Sequence, residues 1–185
     1  MSLSIEALAE LLGQKADVLR ASLRRLRAVV HVPEDLDQPG LRTLHASFGD
    51  YMFERASPSI RIARTLGDDA FARGCFQVMD TRLHFNVSRN RSSYEPNPMT
   101  KPGSITLSLE YACLQWVYHN ACLPDSSALD DVIHVVFLPR FLFWMEVMSV
   151  LNQVQRAAAM LVLAAATVRV YAEHATRRFS FTHLG

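Results

Sequence analysis

The apolar positions of the first fifty residues follow two different rhythms. Ile5, Leu8, Leu11 and Leu12 fall three and four apart behind Ser4, with Glu6 and Glu10 on the opposite side and Gly13 after them. This predicts a short helix with a serine cap and a glycine stop. After Gln14 to Ala16, Asp17 is placed to cap a second helix, along which Leu19, Ser22, Leu23, Leu26, Val29 and Val30 keep the helical spacing. From Val29 to Val32 the residues become β-branched, Pro33 to Gly40 supply turn chemistry, and Leu41 to Leu44 resume an extended pattern. That sequence of signals predicts a β-hairpin. Within Leu41 to Arg55 the extended run gives way to another helix, for which Ser47 is the expected cap.

Beyond this region the pattern is helical. Pro58, Arg61 and Arg64 mark a connector, and Asp68 or Asp69 is expected to cap a helix carrying Ala70, Phe71, Cys75, Phe76, Met79 and Leu83. His84 to Ser104 is polar and rich in proline, which predicts a long loop lying extended over the surface. Ser108 should open a helix with Leu109, Ala112, Cys113, Trp116 and Val117 on one face, closed by a turn at Leu123 to Ser127. Asp130 and Asp131 open a further helix that Pro139 interrupts, followed by a broad stripe of Phe141, Leu142, Trp144, Met145, Met148 and Leu151. A last helix is expected from about Val154 to about His174. The fold class is therefore mainly α: a winged helix (helix-turn-helix plus hairpin wing) over residues 1–55, then an α-helical domain over 56–185, with the long loop 84–104 and a poorly defined tail at 176–185.

Composition narrows the functional classes. Half of the 185 residues are apolar, enough for a real core, and the formal net charge is only +1. Such a balance gives no electrostatic grip on nucleic acid or an anionic membrane. The two lysines, Lys15 and Lys101, do not follow a glycine, so the chain carries no phosphate-binding loop of the Gly-Lys-Ser/Thr kind. Cys75, Cys113 and Cys122 lack metal-site spacing and read as buried reduced thiols of a cytoplasmic protein. The apolar run from Ala157 to Val168 is shorter than the roughly 20 residues that span a bilayer. No membrane association and no metal site are expected.

Two features carry candidate chemistry. His45 stands beside Ser47 and Asp50, but three residues so close on one strand-to-helix turn cannot align nucleophile, base and orienter. A packed or capping role is the plain reading of that histidine. Arg20, Arg24 and Arg27 lie off the apolar face of the second helix, where a DNA-binding winged helix presents recognition residues. Against a nucleic-acid role, residues 1–55 hold seven Lys and Arg against eight Asp and Glu, one net negative charge. A solvated or domain-facing basic side is the alternative. The segment Arg89 to Tyr94 reads as a surface loop or a modification site.

The stretch LRTLHASFGDYMFER resembles the end of the winged-helix domain in fungal NACHT-type STAND signalling NTPases. AELLG and RRLRAVVHVPED before it, and SLEYACLQWVYH and FLPRFLFWMEVMSVL after it, are consistent with the same family. The resemblance covers about residues 3 to 165. It implies an upstream NACHT domain that binds ATP or ADP with magnesium and is the partner of this segment. It also implies that His45 occupies the position of the winged-helix histidine that contacts the diphosphate of ADP and locks the inactive state. The chain departs from the family in lacking the Walker motifs and any WD repeats, and in its tail after about Thr167, so a fragment or degenerate relative is expected. The resemblance thus points to a non-catalytic regulatory segment needing no cofactor by itself. A nucleic-acid-binding winged helix and a helical protein-interaction scaffold are the alternatives.

Overall fold

The computed structural model describes residues 3–33, 40–59, 61–92, 94, 96–97, 101–123, 133 and 137–167. The architecture is mainly helical, with one small sheet among the described residues. Helix α1 spans Ile5–Leu11 and begins as its sequence requires, with Ser4 Oγ accepting from the Ala7 N–H at 3.2 Å. It ends at Gly13, whose φ of +61° suits glycine and lets Gln14 N–H reach back to Ala9 O at 2.9 Å. Helix α2 spans Ala16–Arg24 with Lys15 rather than Asp17 at the cap. Asp17 instead lies in the first turn, where a carboxylate is favoured by the helix dipole whether or not it caps.

Strands β1 (Val30–His31) and β2 (Arg42–Thr43) pair antiparallel, Val30 opposite Thr43 and His31 opposite Arg42. The expected hairpin is thus reduced to two residues a side. Most of its turn, residues 34–39, lies outside the described residues. Helix α3, Ser47–Asp50, runs into a π-helical turn over Tyr51–Arg55.

Helix α4 spans Arg64–Arg82, four residues earlier than Asp68. The reason is non-local: the Arg64 guanidinium sits 4.3 Å from the Phe53 ring and within 4.0 Å and 3.5 Å of the Asp50 and Glu54 carboxylates, so the preceding segment holds the first turn. Helix α5 spans Leu107–Ala121 and is capped by Thr106, not Ser108. Ser108 is buried and donates to Glu10 Oε2 at 2.5 Å. Helix α6 spans Leu138–Val150 with Pro139 in its first turn, so the proline starts this helix rather than interrupting one. Helix α7 covers 154–167. The expected turn and helix start at 124–132, the end of the last helix after 167, and the tail 176–185 lie outside the described residues.

The core is built around Trp116 on α5 and Trp144 on α6, both fully buried, with ring centroids 6.5 Å apart and Phe137 packed against each. Trp144 Nε1–H donates to Cys113 O at 3.0 Å and joins the two helices. Leu11 of α1 belongs to this same core. Its helix comes so close to α4 that a Cβ at Gly74 would stand 1.8 Å from Leu11 O. Glu10 extends the contact: Oε1 accepts from Arg82 Nε at 2.9 Å while Oε2 takes the Ser108 hydroxyl, so one carboxylate ties α1 to α4 and α5. The long loop is not simply laid on the surface. Val87 and Ser88 are buried, Asn86 and Arg89 adopt left-handed φ values of 54° and 57°, and Glu146 Oε1 on α6 accepts from both Ser88 N–H at 2.8 Å and Ser88 Oγ at 2.5 Å.

Candidate functional site

His45 stands between β2 and α3, exposed to solvent. Its Nδ1 accepts from Ser47 N–H at 3.1 Å and lies 2.7 Å from Ser47 Oγ. A backbone N–H can only donate, so Nδ1 is the unprotonated nitrogen and the ring proton is on Nε2. The expected cap is therefore inverted: Ser47 is the first helical residue, and the histidine ring satisfies its N–H. Nε2–H has no polar partner among the described residues.

The arginines of α2 do not act as one face. Arg20 Nη2 donates to Glu6 Oε1 at 3.0 Å and so links α2 to α1, both side chains partly exposed. An exposed pair of this kind contributes little stability, but it answers part of the positive charge of the stripe. Arg24 is exposed in the last turn of α2, and Arg27 is exposed in the turn that follows.

A third arrangement is completed only by the fold. His119 on α5 is held between Asp68 on α4, with Nδ1 at 2.9 Å from Oδ1, and Tyr111, whose hydroxyl is 2.7 Å from Nε2. Nδ1 must donate to the carboxylate, so Nε2 accepts from the tyrosine hydroxyl. Phe71 stacks on the imidazole with centroids 5.1 Å apart and planes 17° apart. The order Asp–His–hydroxyl has the connectivity of a catalytic triad, but its electrostatics run the other way. Burial, then the neighbouring Cys75 and Asp68, pushes Tyr111 up to about 12, which deepens its protonated form instead of activating it. Cys122, beside Asp68, is likewise raised, first by burial and then by that carboxylate. These groups form a bracket between α4 and α5. Tyr111 and His119 share α5, the one hint in the sequence; Asp68 is 51 residues from His119 and only the fold brings it in.

The thiols also divide. Cys75 and Cys113 are buried, but Cys122 is exposed, which corrects the expectation that all three are buried. Burial pushes Cys75 up to about 12. Among the described residues no cluster of His, Cys, Asp and Glu is arranged to hold a metal ion, and no helix is long and apolar enough to cross a membrane.

What the fold defines is a class: a mainly α-helical chain with a helix pair and a minimal two-stranded sheet at its N-terminal end. Comparison with family models, with curated proteins and with solved structures finds no match to this chain.

Proposed function

We propose that the chain is a non-catalytic regulatory segment of a NACHT-type STAND signalling NTPase, its N-terminal part a winged helix that serves as a nucleotide-sensing lid. In this reading α1, α2 and the β1–β2 hairpin form the winged helix, and the helices from α4 onward form the regulatory domain behind it. The NACHT domain that carries ATP or ADP with magnesium is the partner, and the protein is cytoplasmic. The observation that carries the proposal is the division of labour in His45. Nδ1 is committed to the α3 N-terminus, and Nε2–H is left as an exposed donor of the kind a diphosphate oxygen accepts from. A helical segment that swings as a rigid body would then be biased by the occupant of the NACHT domain.

The test uses a full-length relative that carries the NACHT domain. His45→Asn at the matching position retains an acceptor for the Ser47 N–H but removes Nε2–H. It should lower the ADP retained through purification and shift the protein toward its open, oligomeric form. Unchanged nucleotide content and assembly refute the sensing role. The chain alone should hydrolyse no nucleoside triphosphate, and phosphate release above a heat-killed control refutes the non-catalytic reading.

A further inference from the structure

A cleft of about 300 Å³ opens where the end of α4, the turn at 85–88 and the segment before α5 meet. It is lined by Arg82, His84, Arg89, Gly103, Ser104 and Thr106 among others, and no carboxylate is in the lining among the described residues. Two guanidinium groups, one imidazole and the three hydroxyls of Thr81, Ser104 and Thr106 therefore border one small space. Arg82 is partly neutralised by Glu10 at 2.8 Å, but no polar group pairs with the Arg89 guanidinium among the described residues. Arg89 is held in its left-handed conformation by its N–H to Asn86 O at 3.0 Å, an uncommon state for a non-glycine residue. Ser104 adds an independent sign: its Oγ is buried without any hydrogen-bond partner, although it borders the cleft. Buried hydroxyls are nearly always satisfied, so an absent partner at a ligand-sized opening points to an acceptor supplied from outside.

We propose that this cleft binds the phosphate of a small phosphorylated ligand. The forked guanidinium of Arg89 matches phosphate oxygens two at a time, and Ser104 supplies a neutral donor, while the N–H of His84 at Nδ1 is already given to Phe85 O at 3.0 Å. The volume lies at the lower end of ligand sites, which suits a phosphomonoester with a short substituent and is small for a nucleotide. The site is on different elements from His45 and does not depend on the sensing role proposed for that residue.

Calorimetric titration of the full chain with inorganic phosphate and with glycerol phosphate, at low ionic strength, tests the assignment. Both should bind and acetate should not, and added sodium chloride should weaken the binding. Arg89→Asn keeps a residue that tolerates the left-handed backbone and should lower affinity by about tenfold. Gly103→Asp places a carboxylate where a new Cβ meets nothing within 4 Å, so it leaves the fold intact and should abolish binding. Arg91→Gln, outside the lining, should have no effect. Phosphate binding no tighter than acetate, or Arg89→Asn and Gly103→Asp titrating like the parent, overturns the proposal. So does binding to phosphatidic acid vesicles with none to the soluble phosphates.

Discussion

Two glycines of the same helix should respond to the same substitution with opposite sign. Gly67 and Gly74 both lie within α4, where alanine is intrinsically better by about 1 kcal/mol. At Gly67 a new Cβ meets nothing within 4 Å, so Gly67→Ala should realise that gain and raise Tm by roughly 2–4 °C. At Gly74 the same atom would stand 1.8 Å from Leu11 O and 2.7 Å from Leu11 C. Both are backbone atoms, so no rotamer change relieves the clash and α1 must retreat by more than an ångström. Overpacking of this sort costs about 1–3 kcal/mol. The retreat also loosens Leu11, 1% exposed, whose burial is worth about 1.5–3 kcal/mol. Set against the helix-propensity gain, Gly74→Ala should lose about 3 kcal/mol and lower Tm by roughly 6–12 °C. Thermal unfolding followed by circular dichroism compares the two variants directly. A Gly74→Ala protein as stable as the parent refutes the close approach of α1 to α4, because only that contact reverses the sign.

Other consequences concern protons, thiols and the core. At neutral pH a thiol reagent should label Cys122 in the native protein and reach Cys75 and Cys113 only on unfolding; Asp68→Asn, which removes the nearby negative charge, should speed that labelling. Fast labelling of two or more thiols in the native state contradicts the burial. Tyr111 and Cys75 both keep their protons to about 12 in the fold, above their ordinary values of 10.0 and 9.0. The folded state then binds more protons than the unfolded state in that interval, so stability is intact below about pH 9 and falls as pH rises from 9 toward 12. Tyr111→Phe should flatten the part of this decline above pH 10 in urea denaturation series, and an unchanged slope argues against a protonated Tyr111. Trp144→Phe removes the bond to Cys113 O, a carbonyl that keeps its place in the α5 ladder, so a loss of about 1 kcal/mol is expected, measurable as a lower urea midpoint.

How far each element was legible depended on where its partners lie. Helix α1 is written locally, since Ser4 and Gly13 act within a turn of it, and its observed limits follow those signals. The starts of α4 and α5 were misplaced because the deciding partners are remote in the chain. Arg64 is held by Phe53 and two carboxylates of the preceding turn, and Ser108 is turned inward by Glu10, 98 residues away. Polarity alone made 84–104 a surface loop. The isolated valine at position 87 enters the core because left-handed residues at Asn86 and Arg89 fold the chain tightly around it, and one apolar residue carries no periodicity. In the Asp68–His119–Tyr111 bracket only the pairing of Tyr111 with His119 along α5 was local, and helix packing alone brings in Asp68.

For His45, the sequence posed a capping role and a phosphate-sensing role as rivals, and the ring geometry removes the conflict. The two roles use different nitrogens: Nδ1 must be an acceptor for Ser47, and a phosphate contact needs a donor, which only Nε2 can then be. The cap thereby selects the tautomer that sensing requires. On the proposed sensing role, a diphosphate reaching this surface would meet the oriented Nε2–H of that tautomer. Such a contact would be directional, and because the ring is oriented by Ser47 it would form only with the start of α3 in place.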